Sequence, residues 1–197
     1  MNEGNNIFMK KFIKYFICKF LFRVTYIDIE NLYKYPKCII APNHSSIFDP
    51  FFIYPLASNL YIMAKSEIFK NKLFAKILRH YNVFPVDRNK RDPKSLFTAL
   101  SVFKDQSEVQ LLIFPEGKVV KYESDIGKSI KNGVTFIASE NHIPIVPVYI
   151  SRRPKLFSRV NVILGTPYFI DKVENKKEII AESKKLLDKI YDLRRDV

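Results

Sequence analysis

The sequence predicts a single α/β domain, a largely parallel mixed sheet flanked by helices, behind an N-terminal amphipathic helix that associates with a membrane. Three observations predict it. Short apolar runs of strand length alternate with stretches whose apolar residues recur at helical spacing, the order that builds a parallel sheet covered by helices. The 197 residues are enough for one sizeable core, and no break in composition divides them. Hydrophobic residues make up 47% of the chain and glycines number only five, which excludes a disordered or low-complexity chain.

The elements follow in order. Residues 1–24 form the membrane-interface segment and residues 25–197 the folded domain. Along residues 7–24, Phe8, Phe12, Tyr15, Phe16, Lys19 and Phe20 recur near helical spacing, with Lys10, Lys11, Lys14 and Arg23 among them. A spanning helix wants about 20 mostly apolar residues, and a signal peptide wants a small-residue cleavage site. This run meets neither demand. It fits a helix lying in the interface with its lysines reaching to phosphates; the alternative is a helix packed on the domain core.

Residues 38–41 then read as a buried strand. Asp49-Pro50 reads as an N-cap and first helical residue, opening a helix through Leu56. Residues 60–64 are a second strand, and residues 67–80 carry Ile68, Leu73, Phe74, Ile77 and Leu78 at helical spacing. Residues 83–86 make a third strand, shortened by Pro85. Asp92-Pro93 caps a helix with Leu96, Leu100 and Phe103 on one face. Residues 109–114 form a strongly apolar central strand, 131–141 a helix, and 145–150 and 160–164 further strands. Ile179, Ser183, Leu186, Leu187 and Ile190 line a C-terminal amphipathic helix.

Lys and Arg number 33 against 20 Asp and Glu, a net charge of +13. Such an excess favours a polyanionic partner, nucleic acid or an anionic lipid surface. The lysines are spread along the chain with no RNA-binding aromatic signature, so no nucleic acid is expected. Seventeen Phe and eleven Tyr accompany the charge, and tyrosine suits a membrane interface. Cys18 and Cys38 read as reduced and structural, which suits the cytoplasmic face of a membrane. The three histidines show no metal-ligand spacing, so no metal is expected.

Four segments carry chemistry. Asn43-His44-Ser45-Ser46-Ile47-Phe48-Asp49 follows a strand and enters a helix, where α/β folds place ligands. On a continuous helix His44 and Asp49 would sit about 140° apart. Across a turn the chain can fold back, so that the carboxylate fixes one imidazole nitrogen and the other accepts a proton from a hydroxyl. The alternative is a helix cap beside a loop histidine. Val83 to Arg88 ends in an arginine able to fork onto a phosphate, or to pair with Asp87. Phe114-Pro115-Glu116-Gly117 puts a carboxylate and a glycine at the same sheet edge, for a close approach or a plain turn. Residues 143–148 hold two prolines in one apolar strand, a ligand-lining wall or ordinary core.

In this order and spacing the four segments resemble the motifs of the glycerolipid acyltransferases, the family of 1-acylglycerol-3-phosphate O-acyltransferases. Ala64-Lys65-Ser66-Glu67 resembles the family's Lys-x-Glu stretch, and Gly127 to Gly133 its Gly-Lys-x2-Lys-x-Gly stretch. The resemblance covers roughly residues 25 to 190, so residues 25–197 are expected to be the acyltransferase domain. It implies transfer of a fatty acyl group from acyl-CoA or acyl-carrier protein to the hydroxyl of a lysophospholipid, without metal or other cofactor. By the same resemblance His44 is the general base and Asp49 its orienting partner. Lys65 and Arg88 are the candidates to hold the acceptor's phosphate, and Glu116 and Gly117 to shape that pocket, with Lys118 a further substrate-binding candidate. The missing Gly-x-Ser-x-Gly elbow agrees with direct attack on the thioester.

One departure bears on the acceptor. The family continues Phe-Pro-Glu-Gly with Thr-Arg-Ser, whereas this chain reads Lys118-Val119-Val120. Valine removes a phosphate fork that Lys118 or Lys121 would replace only as a point charge. Three readings follow: an acyltransferase on 1-acylglycerol 3-phosphate in phospholipid biosynthesis, an acyltransferase on another lysolipid, or a non-catalytic basic module that binds lipid or nucleic acid.

Overall fold

The computed structural model describes residues 3–87, 92–104 and 106–194. Helix α1 (Glu3–Phe12) continues as a wider-turned π-helix, Ile13–Leu21. Its two faces differ. Ile13 and Cys18, with Phe22 just beyond, are buried, while Phe8, Phe12, Tyr15, Phe16 and Phe20 are exposed. Phe22 packs against Phe48 and Phe52 with ring centroids 5.1 Å away in each case. Burying one such ring contributes roughly 1.5–3 kcal/mol. The helix therefore packs on the domain along one side and keeps an aromatic ridge bare along the other. Among the described residues no helix is long and apolar enough to cross a membrane.

At Phe22 the backbone turns extended, and strand β1 (Arg23–Ile27) begins. The helical run expected through Val24 stops there because Val24, Thr25, Tyr26 and Ile27 favour a pleated surface. A short helix α2 (Glu30–Tyr33) leads to β2 (Lys37–Pro42). Then come α3 (Asp49–Ile53), β3 (Leu60–Lys65), a 3-10 turn at Ser66–Phe69, α4 (Lys72–His80) and β4 (Val83–Val86). Helix α5 (Pro93–Ser101) is capped by Asp92, whose side chain accepts from the Ser95 amide. The chain closes with β5 (Val109–Leu112), α6 (Gly133–Asn141), β6 (Ile145–Ile150), β7 (Arg159–Leu164) and α7 (Lys176–Asp192).

The seven strands form one sheet in the order β1-β7-β6-β2-β5-β3-β4. Every pair is parallel except β6–β7. Residues 151–158 link those two, fewer than the dozen or so that a parallel crossover needs, so β7 has to return antiparallel. Side chains alternate across the sheet. On β2, Cys38 and Ile40 enter the core shared with the N-terminal helix and α3, while Ile39 and Ala41 enter the core shared with α5, α6 and α7. The result is a sheet with helices on both faces, whose parallel strands β2, β3, β4, β5 and β6 end along one edge.

Candidate active site

Three of the resembling segments meet at that edge. The β2–β5 register pairs Ile40 with Leu112, and carrying it onward sets His44 beside Glu116. The His44 amide donates to Glu116 Oε2 at 2.6 Å, and the Val120 amide donates to the His44 carbonyl at 2.7 Å. Asn43, fully buried, clamps the end of β6: its Oδ1 accepts from the Ile150 amide at 2.7 Å and its Nδ2 donates to the Ile150 carbonyl at 3.0 Å. The loops after β2, β5 and β6 are thus held as one piece.

Asp49 lies buried at the start of α3. Its Oδ2 accepts from the Ser45 amide at 2.7 Å and the Ser46 amide at 2.8 Å, and stands 3.0 Å from His44 Nδ1. The N-cap expectation is corrected here. Asp49 is the first helical residue, and its carboxylate reaches back to the loop before the helix instead of to amides inside it. A carboxylate oxygen offers only lone pairs, so this contact is donated by Nδ1–H, and in the neutral imidazole that tautomer puts the free lone pair on Nε2. The ring stacks on Phe114 at a centroid distance of 4.0 Å, which fixes its plane. The tautomer that Asp49 favours points the free lone pair of Nε2 away from the carboxylate.

Glu116 is fully buried. Burial pushes its carboxyl above the ordinary value of 4.5, and the His44 amide, the Tyr191 hydroxyl, Arg152 and His44 pull it part of the way back. Tyr191 donates to Glu116 Oε1 at 2.8 Å from the end of α7 and accepts from Arg152 Nη1 at 3.1 Å. Arg152 Nη2 also donates to the Val120 carbonyl at 3.2 Å. Gly117 sits at φ +67, and a Cβ there would lie 2.6 Å from Lys131 Cγ, so the turn demands glycine twice over. The Gly117 amide donates to the Phe114 carbonyl at 3.0 Å, closing that turn.

The remaining expected residues spread out. Lys65 ends β3 and pairs with Glu67 at 2.8 Å. Lys118 is exposed on the loop after Gly117. Arg88 lies outside the described residues. Two hollows open at the ends of these strands, one lined by Phe114 and Gly117 and the other by Arg152 and Arg153. On the β3–β4 side a groove of about 360 Å³ has an apolar wall of Met63, Val86, Leu96, Ile113, Phe114 and Ile137 and a polar rim of Asp87, Asp92, Ser95, Lys131 and Asn132. On the β6–β7–β1 side a cleft of about 1110 Å³ is lined by Arg23, Lys121, Arg152, Arg153, Arg159 and Arg194.

Sequence reasoning missed Arg152 and Tyr191. Arg152 carried a usable signal, since it stands just beyond the apolar run 145–150. Tyr191 carried none, because its partner is 75 positions away. Among the described residues no cluster of metal-ligating side chains occurs.

The chain is similar to known proteins. The sequence pattern of the Acyltransferase family matches residues 23–151. The 1-acyl-sn-glycerol-3-phosphate acyltransferase of Bacillus subtilis (strain 168) is 29% identical over 174 residues, covering 83% of this chain and 84% of that protein. The enzyme of the same name from Streptococcus pneumoniae is 30% identical over 112 residues, 56% of this chain and 39% of that one. The crystal structure of the 1-acyl-sn-glycerophosphate acyltransferase PlsC from Thermotoga maritima shares the fold, with a TM-score of 0.64, 21% identity, and coverage of 100% of this chain and 85% of that one.

Proposed function

The chain belongs to the acyltransferase family and is an acyltransferase, and from that premise we propose that it acylates the free hydroxyl of 1-acylglycerol 3-phosphate with His44 as general base. The observation that carries the mechanism is the buried Asp49 carboxylate, which gathers the Ser45 and Ser46 amides and His44 Nδ1 on one oxygen. The acceptor hydroxyl passes its proton to His44 Nε2 while its oxygen attacks the thioester carbonyl. The tetrahedral adduct collapses, the C–S bond breaks, and the leaving thiolate takes the proton back. No residue is acylated. Asp49 stabilises the transient imidazolium.

The apolar groove beside Phe114 suits a fatty acyl chain, and Glu116, Gly117 and Lys118 frame the acceptor next to His44. Lys65, at the end of β3, offers a cation on that same side, and the family resemblance makes Arg88 a second cation for the phosphate. The donor is acyl-CoA or acyl-carrier protein, and the chemistry needs no other cofactor. The bare ridge of Phe8, Phe12, Phe16 and Phe20, with Lys11, Lys14 and Lys19 near it, seats the protein on an anionic membrane, peripherally on the cytoplasmic face. The test is acyl transfer from both donors to a panel of lysolipids, wild type beside His44→Ala. Equal rates for the two proteins would remove His44 from the mechanism. Turnover of a different lysolipid alone would change the acceptor.

A further inference from the structure

Leu156 and Phe157 stand on the link between β6 and β7, 57% and 58% exposed. Their exposure is held in place, because the link is a bonded turn. The Phe157 amide donates to the Leu21 carbonyl at 2.7 Å, and the Arg23 guanidinium donates to the Phe157 carbonyl at 2.8 Å. Ser158 closes the turn on Lys155: its Oγ accepts from the Lys155 amide at 3.1 Å and donates to the Lys155 carbonyl at 2.7 Å. Phe157 holds φ +63, a left-handed conformation uncommon for a residue with a Cβ, which marks a position fixed by its surroundings. Two large apolar side chains are thus presented to solvent on a fixed backbone.

The turn continues a longer surface. The Phe157 ring meets Phe20 edge-on with centroids 6.2 Å apart, Phe20 stacks on Phe16 at 5.7 Å, and Phe16 on Phe12 at 5.2 Å. The bare ridge of the N-terminal helix therefore runs on, ring against ring, onto the folded domain. The charge around it has one sign. Residues 4–27 hold Lys10, Lys11, Lys14, Lys19 and Arg23 and no Asp or Glu; residues 151–159 hold Arg152, Arg153, Lys155 and Arg159 and again neither. Arg23, Lys155 and Arg159 are exposed. Rings on a fixed backbone among cations match an anionic bilayer, where the rings enter the acyl boundary and the cations take lipid phosphates. An acidic protein surface would satisfy the cations but not a line of four rings. The same link is bonded to the active-site loop: the Arg153 amide donates to Ser45 Oγ at 3.0 Å, one residue from His44. From Arg153 to Phe157 the chain spans at most about 14 Å.

We propose that Leu156 and Phe157 form a second membrane-inserting element, carried by the folded domain itself, which enters an anionic bilayer beside the aromatic ridge and keeps the Ser45 loop close to its surface. This rests on the membrane seating proposed above and adds to it a contact from outside residues 1–24, and with that contact an orientation.

The chain contains no tryptophan, so Phe157→Trp gives the full-length protein a single indole on the turn, and Phe16→Trp gives one on the ridge. Each is mixed with vesicles of equal parts phosphatidylcholine and phosphatidylglycerol, and with phosphatidylcholine alone. The expected result is blue-shifted emission from both indoles on the anionic vesicles, quenching by lipids brominated on their acyl chains, and binding about tenfold or more weaker to phosphatidylcholine alone. A Phe16→Trp indole that shifts while Phe157→Trp still emits as in water overturns the proposal and leaves the helix seating intact. Wild type that sediments with neither vesicle refutes the seating and this proposal with it. Equal binding to both vesicles overturns the anionic partner. A Phe157→Trp shift that follows protein concentration without lipid assigns the turn to a second copy, and one that appears only with an acidic carrier protein assigns it to that protein; either overturns the proposal. Leu156→Ser/Phe157→Ser, its fold checked by circular dichroism, should bind the anionic vesicles about tenfold more weakly than wild type, and unchanged binding counts against insertion. Leu156→Trp repeats the emission measurement if Phe157→Trp does not fold.

Discussion

The groove and the cleft are built on the same sheet edge and could hardly differ more. On the β3–β4 side parallel strands end beneath α5 and α6, and the space between is walled by Met63, Leu96, Ile113 and Ile137. On the β6–β7–β1 side one antiparallel return changes what meets at the edge. Strands β7 and β1 start where β6 ends, so their first residues, Arg159 and Arg23, face the residues that follow β6. Among the described residues, none that lines that cleft belongs to an α-helix. A single reversal of strand direction therefore leaves one flank roofed and apolar-walled and the other open and cationic.

The active-site loop on that edge carries the largest predicted effect. His44→Ala should lower kcat by about 10²- to 10⁴-fold, the usual contribution of a positioned general base. Asp49→Asn should fall in the same range, since the amide no longer gives Nδ1–H a charged acceptor. Steady-state rates at saturating donor check both. If either variant keeps wild-type kcat, the chemistry of that edge is not organised around His44 Nε2.

Glu116 ties the flanks together, because its two oxygens take the His44 amide on one side and Tyr191, backed by Arg152, on the other. A glutamine offers one acceptor for those two donors. Glu116→Gln should lower kcat by about ten- to a hundredfold through loss of a hydrogen bond to a charged group. Its pH dependence has a definite sign. The carboxyl is raised in the folded protein, so the unfolded chain gives up its proton first. Its stabilising contribution is full below the ordinary value of 4.5 and is lost as pH rises through the folded value. Unfolding followed from pH 4 upward should show wild type losing stability relative to Glu116→Gln. A constant difference between the two would place the raised group elsewhere.

How much of this the sequence disclosed depends on the distance between partners. His44 and Asp49 were legible because five positions separate them and a strand end announces the turn. Glu116 was legible as a carboxylate at a central strand end, though its role as a clamp on the His44 amide was not. Strand β1 went unread because the basic, aromatic run before it passes into Arg23 and Val24 with no turn residue between. The arginine cleft went unread for a related reason: Arg23, Lys121, Arg153 and Arg159 are scattered over the chain, and only the antiparallel β6–β7 return gathers them. The short link at residues 151–158 was the available clue, since it forbids a parallel crossover.

On the apolar flank, Leu96→Trp should narrow the groove. Its expected signature is a shift in chain preference, with long acyl chains losing about tenfold in kcat/KM relative to short ones, the scale on which an apolar pocket discriminates methylenes. A uniform loss across chain lengths would move the acyl chain out of this groove.

The smallest effect concerns the loop that runs from one hollow to the other, from Gly117 at the groove to Lys121 at the cleft. Val119→Arg restores the arginine of the family's Thr-Arg-Ser, a stretch that this chain replaces with Lys118-Val119-Val120. If the acceptor's phosphate rests with Lys65, a further charge at the rim is worth about 1 kcal/mol or less, and the acceptor KM should change by less than about fivefold. If instead the phosphate sits against the loop after Gly117 and simply lacks its fork, the new guanidinium supplies a bidentate contact and the KM should drop tenfold or more. Pairing the substitution with Lys65→Ala separates the two cases. A restored arginine that rescues the loss shares the phosphate with Lys65, whereas one that leaves the loss in place stands at a different point of the rim.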